Sequence, residues 1–114
     1  MARKRVKPQL LRARADKDVL AAVDHYLEVS AQAAAGFVDA LEKAYAHVRR
    51  DPAAGSTRYV HELNLPSLRF WPCARYPYLV FYVELEDWIE VWRALHVRRD
   101  IPRWLQEHGE SSSR

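Results

Sequence analysis

Tyr78-Leu-Val-Phe-Tyr-Val-Glu-Leu-Glu-Asp-Trp-Ile-Glu-Val-Trp-Arg-Ala-Leu-His-Val97 is the stretch whose reading decides the fold. Its first half is rich in β-branched and aromatic residues, which suit a pleated, buried surface. Side chains in a strand alternate between faces, so Leu79, Phe81, Val83 and Leu85 point one way and Tyr78, Val80 and Tyr82 the other. Glu86-Asp87 predicts a tight turn, and Trp88–Val97 predicts the returning strand. Ile89, Val91, Arg93, Leu95 and Val97 share its apolar parity. Upstream, Leu68–Tyr76 is strand-like, and Pro72, which has no backbone donor, places it at a sheet edge or a bulge. These segments make an antiparallel meander. Thr57–Leu63 before it reads either as a short strand or as an extended connector.

Further upstream the period changes from two to 3.6. Phe37, Leu41, Ala44 and Val48 form one helical stripe, with Ser30 as its cap and Asp51-Pro52 and Gly55 as its stop. Val19, Val23, Tyr26 and Leu27 form an earlier stripe, with Asp16 as the expected cap. A link this short predicts an antiparallel helical hairpin, and Ala31 to Ala35 lets the helices approach closely. Residues 9–15 alternate as a short strand, with Leu11, Ala13 and Ala15 opposite Arg12 and Arg14. Asp100-Ile101-Pro102 opens a short terminal helix carrying Trp104 and Leu105. The order predicts an α+β domain with helices packed on one sheet face.

Length and composition agree with that frame. The chain has 114 residues, 49% hydrophobic and 29% charged, which predicts one domain over residues 1–114 with a core near 8–107. The single Cys73 has no internal disulfide partner. No apolar run approaches the roughly 20 residues that span a bilayer. A reducing cytoplasm and no membrane are the expectation. The net charge is +3, unevenly placed. Residues 1–14 carry six cations and no acid, residues 16–51 are net acidic, and arginine dominates again from Arg69 to Arg103. Such asymmetry points to an anionic partner for part of the surface, or to a solvated surface of exposed ion pairs.

Few residues stand out as chemistry. Arg93 lies in phase with an apolar face, where a charge is costly unless paired. It is either a cation aimed at phosphate or carboxylate, or a structural residue turned outward by a bulge or paired with an acid such as Asp100. Arg69 and Arg75 share a strand face with Trp71 between them. Such a trio either grips phosphate and stacks on a base or covers a sheet edge. His96 follows Arg93, close to Arg98 and Arg99, as a general acid–base candidate or a hydrogen-bonded structural residue. His25, His47, His61 and His108 read as surface positions. The sequence holds no metal cluster, no phosphate-binding glycine loop and no hydrolase signature, so no cofactor is expected.

Phe37-Val-Asp-Ala-Leu-Glu, Asp51-Pro-Ala-Ala-Gly-Ser, Leu68-Arg-Phe-Trp, Tyr76-Pro-Tyr-Leu-Val-Phe-Tyr and Val91-Trp-Arg-Ala-Leu-His-Val-Arg-Arg-Asp, in this order, resemble the RelE/ParE superfamily of toxins. The resemblance runs over about residues 8–107 and lies nearer the ParE, or plasmid-stabilisation, branch. It implies a toxin held by a cognate antitoxin, often of the ParD ribbon-helix-helix type, through which the pair reaches operator DNA. RelE-like members cut mRNA on the ribosome, and the matching positions here are Arg69, Arg75, Arg93 and His96. ParE-like members are described as poisons of DNA gyrase without an established catalytic centre. No tyrosine follows Tyr82, and the ending His96-Val-Arg-Arg-Asp100 resembles ParE, so the resemblance implies a non-enzymatic gyrase inhibitor. Arg69, Trp71, Arg75, Arg93, Arg98 and Arg99 are then the candidate contacts for target or antitoxin.

Overall fold

A computed structural model describes residues 6–60, 64–99 and 101–105. The basic residues Arg3 to Arg5, His61, Asp100, His108 and the polar end Glu110 to Arg114 lie outside the described residues.

The first strand, β1 (Gln9–Leu11), is shorter than the alternation predicts, because helix α1 begins at Ala13 and runs to Val29. The helical stripe explains the difference. Ala15, Val19, Ala22 and Tyr26 stand at i, i+4, i+7 and i+11, and Ala15 and Ala22 are buried against the core. Burying Ala15 on that stripe outweighs a strand alternation of three weak apolar residues. Asp16 consequently lies in the first turn and not at the cap, where Arg12 stands without a side-chain cap bond. Its charge still faces the positive end of the helix. Leu27, expected on the buried stripe, is instead exposed.

Ser30 ends α1 and starts α2 (Ala31–Arg50). Its backbone N–H donates to Tyr26 O at 3.0 Å and its hydroxyl accepts from Ala33 N–H at 2.9 Å. The α2 stripe of Phe37, Leu41, Ala44 and Val48 is buried as its spacing predicts, with Ala34 and Ala40 beside it. His47, Arg49 and Arg50 occupy the last turn, where positive charge suits the helix dipole. A 3₁₀ turn at Pro52–Ala54 follows. Ser56 then bridges Phe70, while Thr57 to Val60 form a turn and not a strand.

The remaining strands are β2 (Leu68–Pro72), β3 (Tyr78–Glu84) and β4 (Ile89–His96). The sheet order is β1-β4-β3-β2, so Pro72 lies on an edge strand, as its missing donor requires. β2, β3 and β4 form the antiparallel meander, and β1 joins it parallel to β4. Residues 101–105 are helical.

Both faces of the sheet are covered. One core lies between the helices and Val80, Tyr82, Ile89 and Val91. The other gathers Leu68, Leu79, Phe81 and Leu95 under Tyr59, Ile101 and Leu105. β3 is apolar at both parities for that reason. Strand β4 serves both cores because of a bulge. Phe81 stands opposite Arg93 and Tyr82 opposite Val91, which leaves Trp92 as the extra residue. The bulge shifts the phase, so Ile89 and Val91 face the helices while Leu95 packs on the far side.

Candidate functional site

β1 pairs with β4 only as far as Val91, whose carbonyl accepts from Arg12 N–H at 2.9 Å. Beyond that point the edge of β4 is open, and helix α1 supplies its partner. Ala94 N–H donates to Asp18 Oδ2 at 3.0 Å. The same carboxylate takes Arg93 from both sides, with Nε to Oδ2 and Nη2 to Oδ1 each at 2.8 Å. Arg93 Nη1 adds a bond to Trp104 O at 3.2 Å, and its guanidinium lies 5.1 Å from the Trp104 ring centroid. The charge in the apolar phase is thus paired, as burial demands. Its partner is Asp18, one turn into α1, and Asp100 lies outside the described residues. The bulge does not turn Arg93 to solvent: it is 2% exposed and fastens α1 and the C-terminal helical turn to β4.

His96 is opposite Tyr78 in the ladder, and their rings meet edge to face at 5.2 Å. Its Nδ1 accepts from Arg98 N–H at 3.0 Å, which ties it to the turn after β4. Burial, the charges of Arg98 and Arg99, and nearby His25 hold its pKa below the ordinary histidine value. Arg98 and Arg99 are exposed on that turn, and the Arg99 guanidinium lies 4.9 Å from the Trp104 ring centroid.

Arg93, His96 and Arg99 border one cavity of about 670 Å³ between α1 and the end of β4. Helix α1 lines its other side with Arg14, Lys17, Asp18 and His25. Sequence reading missed these four. The signal was present: Arg14, Lys17, Asp18 and His25 stand at i, i+3, i+4 and i+11, with Ala21 between at i+7, a second stripe beside the apolar one. It was hidden because charged residues on a helix ordinarily mean a solvated face.

The other candidates lie elsewhere. Arg69 donates from Nη1 to Gly55 O at 2.9 Å, bracing the loop that follows α2. Trp71 stacks on His47, with centroids 3.7 Å apart and planes 18° from parallel. Arg75 is not on a strand: β2 ends at Pro72, and Arg75 sits exposed in the connecting turn with φ 70°. The expected trio of two arginines around one tryptophan is therefore not assembled. Arg93 and His96 share a cavity, and neither Arg69 nor Arg75 lines it.

The model of the ParE toxin of the type II toxin–antitoxin system parDE matches residues 10–101. The chain belongs to the ParE toxin family. Its fold is that of a chain from the chromosomal ParDE toxin–antitoxin system of P. aeruginosa, with a TM-score of 0.66 and 17% sequence identity. That match covers 80% of this chain and 96% of the other. No curated protein matches the sequence. Among the described residues of this ParE toxin, no helix is long and apolar enough to cross a membrane. No group of three or more His, Cys, Asp or Glu among them could hold a metal ion.

Proposed function

We propose that this ParE-family chain is a cytoplasmic toxin that inhibits DNA gyrase by binding it, without catalysing a reaction, and that a ParD-like antitoxin neutralises it. The family membership supports the toxin and its antitoxin. The observation that favours binding over RNA cleavage is the state of Arg93. A cation that stabilises a scissile phosphate must present donors to it. Arg93 instead gives three of its donors to Asp18 and Trp104 and is buried. Arg69 gives one donor to Gly55 O away from the cavity, and Arg75 stands on a separate turn. The candidate arginines do not converge on His96.

Ribosome-dependent mRNA cleavage is the second reading, and the pairing of His96 with Arg99 around one cavity is what favours it. Two measurements separate the readings. After induction of the toxin alone in a bacterial host, the gyrase reading expects growth arrest with no new mRNA 5′ ends. Purified chain should then block DNA supercoiling by gyrase, and a co-expressed antitoxin from an adjacent reading frame should restore it. New 5′ ends inside translated codons would overturn the gyrase reading in favour of the nuclease. Undisturbed growth with folded protein would overturn both.

A further inference from the structure

The cavity between α1 and the end of β4 collects positive charge from three elements. Helix α1 contributes Lys17 and His25, β4 contributes His96, and the following turn contributes Arg99. Asp18 is the one carboxylate among its described lining residues, and both its oxygens are already engaged by Arg93 and Ala94 N–H. The Arg93–Asp18 pair is neutral as a unit. Lys17 and Arg99 then stand with two imidazoles around a shared concavity. Like charges held about one space repel, and they raise the local concentration of anions.

Size and lining narrow the class of anion. A cavity of about 670 Å³ lies in the ordinary range for small-molecule sites. Its apolar wall is formed by Ala21, Leu95 and Trp104, with the Tyr78 ring beside His96. A single carboxylate would offset only one of Lys17 and Arg99. A phosphomonoester dianion offsets two, and its oxygens suit several donors converging from Lys and Arg.

We propose that this cavity binds a phosphomonoester of nucleotide size, with the phosphate among Lys17, Arg99 and the two imidazoles and the organic part against Ala21, Leu95 and Trp104. The site is separate from the gyrase reading and stands or falls without it. It requires no cleavage step, because Arg93 remains on Asp18. Free nucleotides and phosphorylated nucleic-acid ends share this chemistry.

The charged and titratable groups around the cavity are Arg14, Lys17, Asp18 and His25 from α1, Tyr78 from β3, and Arg93 and His96 from β4, with Arg98 and Arg99 beyond it. An anion beside His96 favours its protonated form, so binding should tighten as pH falls. Sulfate is the probe for that dependence, because it stays a dianion throughout.

The test is calorimetric titration of the purified chain with 5′-AMP, adenosine and sulfate. 5′-AMP should bind at least about tenfold more tightly than adenosine. Lys17→Gln and Arg99→Gln should each weaken it about tenfold, with far-UV circular dichroism unchanged. Arg58→Gln, near the β2 edge, should leave it unaltered. Sulfate should bind more tightly near about pH 5.5 than near about pH 8, and the ring resonances of His25 and His96 should move on binding. A 5′-phosphorylated oligonucleotide that binds more tightly than 5′-AMP would support the site and name a nucleic-acid end as the source. The reverse order would support it with a free nucleotide as the source. No saturable binding of 5′-AMP or sulfate overturns the proposal. So does equal affinity for adenosine, indifference to Lys17→Gln and Arg99→Gln, or binding of an acidic peptide alone.

Discussion

At the scale of single residues, Asp18 is the side chain on which the β4 edge depends. It satisfies the buried Arg93 guanidinium and the Ala94 N–H together. Its removal leaves a buried charge without a partner, which typically costs about 3–5 kcal/mol. Asp18→Ala should therefore lower the urea midpoint sharply. Asp18→Leu with Arg93→Met removes the charge as well and should recover most of that loss, though not the bond to Ala94. An unchanged midpoint for Asp18→Ala would mean that the ion pair does not hold the C-terminal turn. His96 carries a different dependence. Its pKa is depressed by burial first and by Arg98, Arg99 and His25 next. The unfolded chain then binds the proton more readily than the folded one. The stability contributed is present above about pH 6.5 and is lost as pH falls through the depressed folded value. Protonation of Nδ1 would also remove the acceptor for Arg98 N–H. The difference in unfolding free energy between wild type and His96→Gln should shrink on acidification below neutrality. A difference flat with pH would show that His96 titrates alike in both states.

At the scale of elements, the helices rest on caps and close approaches. Ser30→Ala removes the hydroxyl that accepts from Ala33 N–H and should cost about 1 kcal/mol, read as a lower chemical-denaturation midpoint with no change in slope. Gly55 is required by packing. Any Cβ there would collide with the Tyr82 hydroxyl, which donates to Pro52 O at 2.6 Å. Gly55→Ala should destabilise by about 1–3 kcal/mol, and Tyr82→Phe in the same chain should add less than its separate effect because the colliding hydroxyl is gone. Strictly additive losses would contradict that collision. The helical hairpin and the meander were legible because their periods are distinct and their stops are strong: Ser30, Pro52 and Pro72 mark boundaries chemically. The start of α1 was not, since Leu11, Ala13 and Ala15 satisfy both a period of two and the start of a helical stripe. The site was less legible for a geometric reason. A one-residue bulge at Trp92 changes which face every later β4 side chain meets, and alternation alone does not register it. The pairing of Arg93 with Asp18 spans 75 positions, and Arg75 left the strand because the chain turns through a positive φ.

At the scale of the whole molecule, the sheet has two apolar faces and therefore needs two covers. The helical hairpin supplies one, and Tyr59 with residues 101–105 supplies the other. A domain with two cores can unfold in two steps if little joins them. Here three connections oppose that. Strand β3 is buried on both faces, so neither cover can leave without exposing it. The bulged β4 sends Val91 to one core and Leu95 to the other. Arg93 binds α1 through Asp18 and the C-terminal turn through Trp104, physically linking the two covers around the sheet edge. These connections predict a single cooperative transition. Its signature is the coincidence of two probes in a urea titration. Far-UV circular dichroism follows the helices, and tryptophan fluorescence, measured with Trp71 and Trp88 replaced by Phe, follows the far face through Trp92 and Trp104. With the Asp18→Leu and Arg93→Met pair the link around the edge is lost, while β3 still joins the cores. The curves should remain superimposed if the doubly buried strand carries the cooperativity. They should separate, with fluorescence changing first, if the ion pair does, because residues 101–105 are a short cover and Arg93 is their bond to the rest. Separated curves with Asp18 and Arg93 intact would refute the cooperative unit altogether.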